Sequence, residues 1–152
     1  FMPRTSPLNS SQQRGMDEFA PRFELKLSDG LLDPAKVFGR TAPLTLEIGF
    51  GMGQTLIAMA EAAPERDFIG IEIHKPGLAQ LCFDAGTRSL TNLRFYADDA
   101  VQVLEQAVDV GQFVTQGTML GRAGQVFLSQ DAQGRVWVGG DVVGCIQGTV
   151  NL

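Results

Sequence analysis

Long apolar runs are missing from this sequence of 152 residues. No stretch of about eighteen apolar residues occurs, so we do not expect a membrane-spanning helix. Residues 1–15 contain no apolar segment of the kind that a secretory signal needs. These two absences predict a cytoplasmic protein with no membrane partner.

Cysteine is also scarce. The two cysteines, Cys82 and Cys145, lie far apart and have neither a paired-cysteine nor a cysteine–histidine spacing. That pattern supports neither a disulfide framework nor a zinc site. We therefore predict free, buried thiols and no metal site.

Basic residues are too few to suggest a nucleic-acid-binding surface. Twelve Lys and Arg residues stand against seventeen Asp and Glu residues, which gives a formal net charge of −5. Proteins that bind nucleic acid gain much of their affinity by neutralising phosphates with basic side chains. The charge balance is thus an objection to any function on nucleic acid.

The chain divides into three parts that differ in composition and in the spacing of their apolar residues. Residues 1–42 are predicted to form an arm, with a short helix near Gln12 to Phe19, and a connecting segment. Residues 43–108 alternate strand and helix patterns three times, which predicts an α/β domain with a parallel sheet and right-handed crossovers. Residues 109–152 contain short β-rich runs between Gly and Asp turns, which predict an antiparallel β meander.

A glycine-rich turn follows the first strand of the α/β part. Gly49, Gly51 and Gly53 occupy alternate positions after Glu47. Glycine at such positions lets the backbone turn tightly and approach a ligand that a Cβ atom would exclude. A lone glycine pattern is weak support for a binding site, so the neighbouring acids matter.

Two further acids follow the next two strands. Glu72 ends the second strand, where nucleotide-binding folds place a carboxylate for ribose hydroxyls, and Asp99 follows the third. The carboxyl ends of parallel strands meet at one edge of the sheet, so these acids should line one crevice. Asp99 also suits the N-cap of the next helix, and Asp98 is an alternative ligand contact.

The segment from about residue 10 to residue 106 resembles the cofactor-binding half of the bacterial tRNA (guanine-N7)-methyltransferases. The matching motifs are Glu-Ile-Gly-Phe-Gly-Met-Gly from Glu47 and Gly-Ile-Glu-Ile-His-x-Pro-Gly from Gly70. This resemblance implies a Rossmann-like S-adenosylmethionine methyltransferase half-domain. It assigns S-adenosylmethionine binding to Glu47, Glu72 and Asp99, with Gly49, Gly51 and Gly53 shaping the pocket.

His74, the only histidine, and Pro76 belong to the same signature turn. A general-base role suits the ordinary pKa of histidine. A positional or pocket-wall role is favoured, because methyl transfer from a sulfonium depends on orientation more than on proton abstraction. The resemblance assigns no catalytic residue that this sequence contains.

Two parts of the family pattern have no counterpart here. Family members continue into a Phe-Pro-Asp-Pro-Trp segment, whose Asp is assigned to catalysis, and then into a basic run that contacts tRNA. In this sequence no proline follows Pro76, and only Arg122 and Arg135 follow Gln106 among basic residues. The resemblance therefore implies a tRNA methyltransferase with impaired activity, or alternatively a non-catalytic S-adenosylmethionine-binding scaffold.

Residues 112–152 resemble the C-terminal end of the phenazine-biosynthesis-like isomerases, whose fold is like that of diaminopimelate epimerase. The matching residues include Gly117, Gly121 and Arg122, which could line an anion pocket but are better explained by a turn and a helix start. Together the two resemblances predict a hybrid chain. An isomerase fragment is the third functional alternative, and a homodimer through the exposed sheet edge is expected.

Overall fold

The computed structural model describes residues 7–108 in full and the backbone of three later strands, residues 113–116, 124–130 and 136–140. Four residues that the sequence singled out, namely Gly117, Gly121, Arg122 and Cys145, lie outside the described residues.

The described part forms a parallel sheet with helices on both faces, and a second, antiparallel sheet. A π-helical turn, Gly15–Phe19, separates the first two helices, and a 3-10 turn, Leu27–Asp29, follows the first strand. In chain order the helices and strands are α1 (Ser10–Arg14), α2 (Ala20–Phe23), β1 (Glu24–Leu25), α3 (Pro34–Phe38), β2 (Leu44–Ile48), α4 (Gln54–Ala62), β3 (Asp67–Ile71), α5 (Lys75–Thr87), β4 (Leu93–Tyr96), α6 (Ala100–Gln106), β5 (Phe113–Gln116), β6 (Gly124–Gln130) and β7 (Val136–Gly140).

The first sheet has the strand order β1-β4-β3-β2, and every neighbouring pair is parallel. Ile48, Ile71 and Tyr96 end three adjacent strands in one register row. The carboxyl ends of β2, β3 and β4 therefore lie side by side. This confirms the predicted parallel α/β architecture, to which the short strand β1 adds an edge that the sequence patterns did not predict.

The later strands form an antiparallel sheet in the order β5-β6-β7. Phe113 pairs with Phe127, and Gln130 pairs with Val136 across a short connection. The predicted antiparallel meander is confirmed for these strands. The likeness to an isomerase stays a prediction, since strand pairing does not test it.

Side chains on both faces of the parallel sheet are buried. Leu46, Ile69 and Ile71 pack on one face with Val103 and Leu104 of α6. The opposite face is covered by α4 and α5, and its core members include Phe50, Leu56, Phe68, Leu81, Cys82 and Phe95. Burial on both sides explains why these strands read as continuous apolar runs. Burial also raises the pKa of the Cys82 thiol to about 12, and Cys82 is a free, buried thiol as predicted.

The N-terminal helical segment packs against α5. Asn9 begins it with a capping box, accepting a hydrogen bond from Gln12 N (2.8 Å) and donating one to Gln12 Oε1 (3.1 Å). The predicted helix near Gln12 to Phe19 is therefore part of a longer helical stretch that ends at Phe23. Phe23 is 1% exposed, so this stretch contributes to the core and covers one side of α5.

Two polar clamps hold the amino end of β3. Asp67 is 1% exposed and receives hydrogen bonds from Arg40 Nε (3.0 Å) and Nη2 (2.7 Å). The buried Asn92 amide donates to the carbonyl oxygens of Ala60 (2.9 Å), Ala63 (3.2 Å) and Arg66 (3.0 Å). These contacts tie the end of α4 and the start of β3 to the loop before β4.

No helix in the described part of the chain is long and apolar enough to cross a bilayer.

We predict that Asn92→Ala lowers the free energy of unfolding by about 1–3 kcal/mol, because buried carbonyl groups lose their donor. Urea denaturation followed by circular dichroism measures the change. Thr91→Ala is the matched control, since Thr91 is exposed and only its backbone carbonyl accepts a hydrogen bond. Equal stabilities for the two variants would contradict the clamp.

Candidate functional site

The site lies where the parallel strands end. Gly49 N donates to Ile71 O (2.8 Å), and Glu72 N donates to Tyr96 O (3.1 Å). The hydrogen-bond ladder thus continues one residue past β2 and β3. This places Glu72, the residues after β4 and the glycine loop, which contains Gly49, Gly51 and Gly53, at one edge of the sheet. Open α/β sheets bind their ligands at this edge.

The glycine loop has the backbone conformation that the sequence predicts. Gly49, Gly51 and Gly53 have φ angles of 71°, 60° and 80°. These values lie in the left-handed region, which side chains with a Cβ atom rarely adopt. Gly53 N donates to Phe50 O (3.0 Å), and Gly53 O accepts from Ile57 N (2.9 Å), so the loop closes as a turn and leads directly into α4.

Glu72 is fixed by three backbone donors. Its Oε2 accepts from Gly51 N (2.8 Å), and its Oε1 accepts from Ile73 N (2.8 Å) and His74 N (3.0 Å). Glu72 therefore joins the end of β3 to the glycine loop. His74 contributes to this arrangement through its backbone N–H, and the role of its side chain stays a prediction.

Asp99 caps α6 as the sequence predicts. Its Oδ1 accepts from Val101 N (3.0 Å) and Gln102 N (3.3 Å). The side chain is exposed, and no hydrogen bond engages its Oδ2 among the described residues. The cap and a ligand contact are thus compatible.

A cleft of about 160 Å³ brings several of these residues together. Gly49, Glu72 and Asp99 line it, with Asp98 beside them. Its remaining walls are mostly apolar and include Ile73, which is 68% exposed. Gly51, Gly53 and Glu47 do not line this cleft. The predicted residues therefore form two groups, one in the cleft and one around the glycine loop.

Glu47 occupies the face of the sheet that α4 covers. It pairs in register with Gly70, whose missing side chain leaves room for the Phe50 ring. Glu47 is 8% exposed, and its Oε2 has no hydrogen-bond partner among the described residues. Burial raises the pKa of this carboxyl. A buried carboxylate without a partner is costly and is characteristic of a functional site.

A larger cavity of about 490 Å³ lies beside β1, and none of the residues that the sequence assigned to the site lines it. Leu25, Tyr96 and the segment 29–33 contribute to its walls. Burial, followed by the charges of Asp29 and Asp98, raises the pKa of Tyr96. Neither Gly49 nor the acids Glu72 and Asp99 line this cavity, whereas all three line the cleft, so we assign the site to the cleft. Nor do the described residues contain a group of three side chains suited to a metal ion.

Sequence reasoning missed the apolar cleft walls. Ile73 and Ala100 each directly follow an acid of the site, Glu72 and Asp99. Their position next to these acids was the one sequence signal for a place in the cleft wall. Apolar residues that follow a buried strand ordinarily belong to the core, so the signal was weak. Only the structure shows that Ile73 is exposed.

A parallel sheet that places a glycine loop and strand-end acids at its carboxyl edge is a Rossmann-like α/β fold. Residues 41–115, which include β2, β3 and β4, match the model of a family described as putative methyltransferase.

The chain is similar to curated proteins named tRNA (guanine-N(7)-)-methyltransferase. It is 51% identical over 108 residues to the protein of Pseudomonas fluorescens strain Pf0-1, 49% to that of Stutzerimonas stutzeri strain A1501 and 48% to that of Alcanivorax borkumensis strain SK2. Each match covers 71% of this chain and 45% of the relative. The chain therefore spans a little under half the length of these relatives. The matches confirm the first resemblance, and the likeness to the isomerase family stays a prediction.

We predict that Glu47→Gln stabilises the fold at neutral pH. Because burial raises the folded-state pKa of Glu47 above its unfolded value, the stability that this group contributes is complete below the unfolded pKa and is lost as pH rises through the folded pKa. The free energy of unfolding of the variant should exceed that of the wild type at pH 7.5, and the difference between them should shrink towards pH 4. Urea unfolding at several pH values measures it, with the exposed Glu65→Gln as control. A difference in unfolding free energy that does not change with pH would contradict a raised pKa of Glu47 in the folded protein.

Two substitutions separate the roles of Asp99. Asp99→Ala removes the cap and should cost about 1 kcal/mol of stability. Asp99→Asn keeps a good N-cap but removes the charge, so the unfolding free energy should stay close to that of the wild type. If Asp99 contacts a ligand, both variants should bind S-adenosylhomocysteine more weakly. An Asn variant with wild-type affinity would show that Asp99 is a cap alone.

Proposed function

We propose that this chain binds S-adenosylmethionine at the carboxyl edge of its parallel sheet, as the cofactor-binding part of a tRNA (guanine-N7)-methyltransferase. The observation that carries the proposal is the Glu72 carboxylate, which is held by the Gly51 N–H and lines the same cleft as Asp99. The names of the related proteins supply the reaction class.

The chemistry of the edge fits this cofactor. S-adenosylmethionine carries a cationic sulfonium, a cationic amino group and ribose hydroxyl donors. Glu47, Glu72, Asp98 and Asp99 give this edge the opposite charge, and the buried Glu47 Oε2 has no partner among the described residues. A cationic or hydroxyl donor at Glu47 would satisfy that oxygen. The glycines of the loop leave the backbone free of Cβ atoms where the ligand would approach.

The residues of the cleft suggest a division of roles. Glu72 would accept hydrogen bonds from the ribose hydroxyls, as acids at the end of the second strand do in related nucleotide sites. The exposed Ile73 offers an apolar surface to the flat adenine ring, and Asp99 lies beside it as an acceptor for a polar edge of that ring. Glu47 and the glycine loop would hold the methionine portion.

When bound, S-adenosylmethionine supplies the methyl group on its sulfonium sulfur. In the reaction that the relatives are named for, the lone pair of guanine N7 attacks the methyl carbon, and the electrons of the carbon–sulfur bond remain on sulfur. N7 is already nucleophilic, so no base is required. The residues of this edge would contribute by orienting the cofactor, which is how such a reaction gains most of its rate.

The family segments that would act on the methyl acceptor, tRNA, have no counterpart in this sequence. The sequence contains no Pro after Pro76, hence no Phe-Pro-Asp-Pro-Trp segment, and it carries only two basic residues after Gln106. This observation favours a second candidate, cofactor binding without methyl transfer. In that case the chain would act as a cofactor-binding scaffold.

Calorimetric titration with S-adenosylhomocysteine tests the cofactor site. We expect micromolar binding by the wild type and at least about tenfold weaker binding by Glu72→Ala, since a charge-assisted hydrogen bond contributes about 1.5–3 kcal/mol. Glu65→Ala is the matched control, because Glu65 is an exposed acid just before the amino end of β3. No binding by the folded wild type would refute the proposal.

Transfer of tritiated methyl groups to tRNA distinguishes the two candidates. Incorporation into unmodified tRNA, lost in Glu72→Ala, supports the methyltransferase. Tight cofactor binding without incorporation, even at low salt where phosphate contacts are strongest, supports the scaffold.

A further inference from the structure

Gly77, in the first turn of α5, touches the backbone of the glycine loop. A Cβ atom on Gly77 would lie 1.9 Å from Gly51 O and 2.9 Å from Gly51 C. Both atoms belong to the main chain, so no flexible side chain can move to make room. Only glycine at this position allows the start of α5 and the loop to approach so closely.

The same helix touches the loop at a second point. A Cβ atom on Gly53 would lie 2.6 Å from Leu81 Cδ1. Gly77 and Leu81 are four residues apart, so they lie on one face of α5. Gly51 and Gly53 alternate along the loop. One helix face therefore supports both glycines.

The peptide groups of Gly51 are thus restrained from two directions. Its N–H donates to Glu72 Oε2 at 2.8 Å, and its carbonyl oxygen lies against Gly77. The amino end of a helix carries a partial positive charge, which favours a carbonyl oxygen at this place. A shift of the α5 first turn would move the carbonyl and strain the bond to Glu72.

We propose that Gly77 is a positioning residue that holds the glycine loop in its cofactor-binding conformation. The inference rests on the proposed function, because it concerns the loop of that same site. Gly77 itself need not touch the cofactor. It acts through Gly51 and, by way of the Gly51 N–H, through Glu72.

The test replaces Gly77 with alanine and compares it with Gly86→Ala. Gly86 lies near the other end of α5, and its Cβ atom would overlap the Phe19 ring, with 2.2 Å to Cγ. Both variants thus introduce a clash in one helix, but only the first clash faces the loop. Alanine also favours helix more than glycine, so helix propensity changes equally in the two variants.

Two quantities are measured in each folded variant. Hydrogen exchange by NMR gives the protection of the Gly51 amide, which requires no ligand, and calorimetry gives the affinity for S-adenosylhomocysteine. We expect Gly77→Ala to speed exchange at Gly51 and to weaken binding, each at least about tenfold. Gly86→Ala should lower the melting temperature while leaving both quantities within about twofold of wild type.

The inference would be overturned if Gly77→Ala kept the wild-type exchange rate at the Gly51 amide and the wild-type affinity for S-adenosylhomocysteine. It would also be overturned if Gly77→Ala and Gly86→Ala lost protection and affinity equally. If Gly77→Ala does not fold, the wild type decides: the Gly51 amide should exchange more slowly than that of the exposed Met52, and equal protection would overturn the proposal. If the wild type fails to bind S-adenosylhomocysteine, the proposed function falls. The Gly51 exchange rates then decide alone whether Gly77 positions the loop.

Discussion

The hydrogen bond from Gly51 N–H to the Glu72 carboxylate is the contact on which the site depends. It joins the loop after β2 to the residue that ends β3, at 2.8 Å. Parallel pairing brings these two segments to the same edge, and the left-handed glycines turn the Gly51 amide towards the acid. The backbone amides of Ile73 and His74 hold the other carboxylate oxygen. Glu72 is thus held in place by the backbone alone, which would limit the ordering that the proposed cofactor binding requires.

Stability and binding place opposite demands on this edge. The buried Glu47 Oε2 has no partner among the described residues, and burial raises the pKa of this carboxyl. An apolar residue would suit the packing better, and the proposed contact with the cofactor accounts for an acid at this position. Stability comes from elsewhere, from the two buried faces of the sheet and from polar clamps such as Asn92 at the amino end of β3.

The sequence patterns predicted the elements whose signals are local. Continuous apolar runs indicated β2 and β3, alternate glycines indicated the turn, and Asp99 indicated the start of α6, all of which the structure contains. Strand β1 was not predicted, because two residues carry no periodicity and pair only through contact with Phe95 and Tyr96. Local patterns also could not show that Glu47 lies apart from the cleft that Glu72 and Asp99 share. Glu47 lies within β2, whereas Glu72 and Asp99 follow the ends of β3 and β4. The resemblance to methyltransferases was confirmed over most of the chain, while the hybrid origin and the site roles stay predictions.

The decisive measurement is a crystal structure of the protein grown with S-adenosylhomocysteine. We expect the ligand at the carboxyl edge, with its ribose hydroxyls within hydrogen-bond distance of Glu72 and its adenine between Ile73 and Asp99. Glu47 should gain a hydrogen-bond partner. Ligand density in the cavity beside β1 instead, or a ligand that does not contact Glu72, would show that the cofactor does not bind at the proposed site.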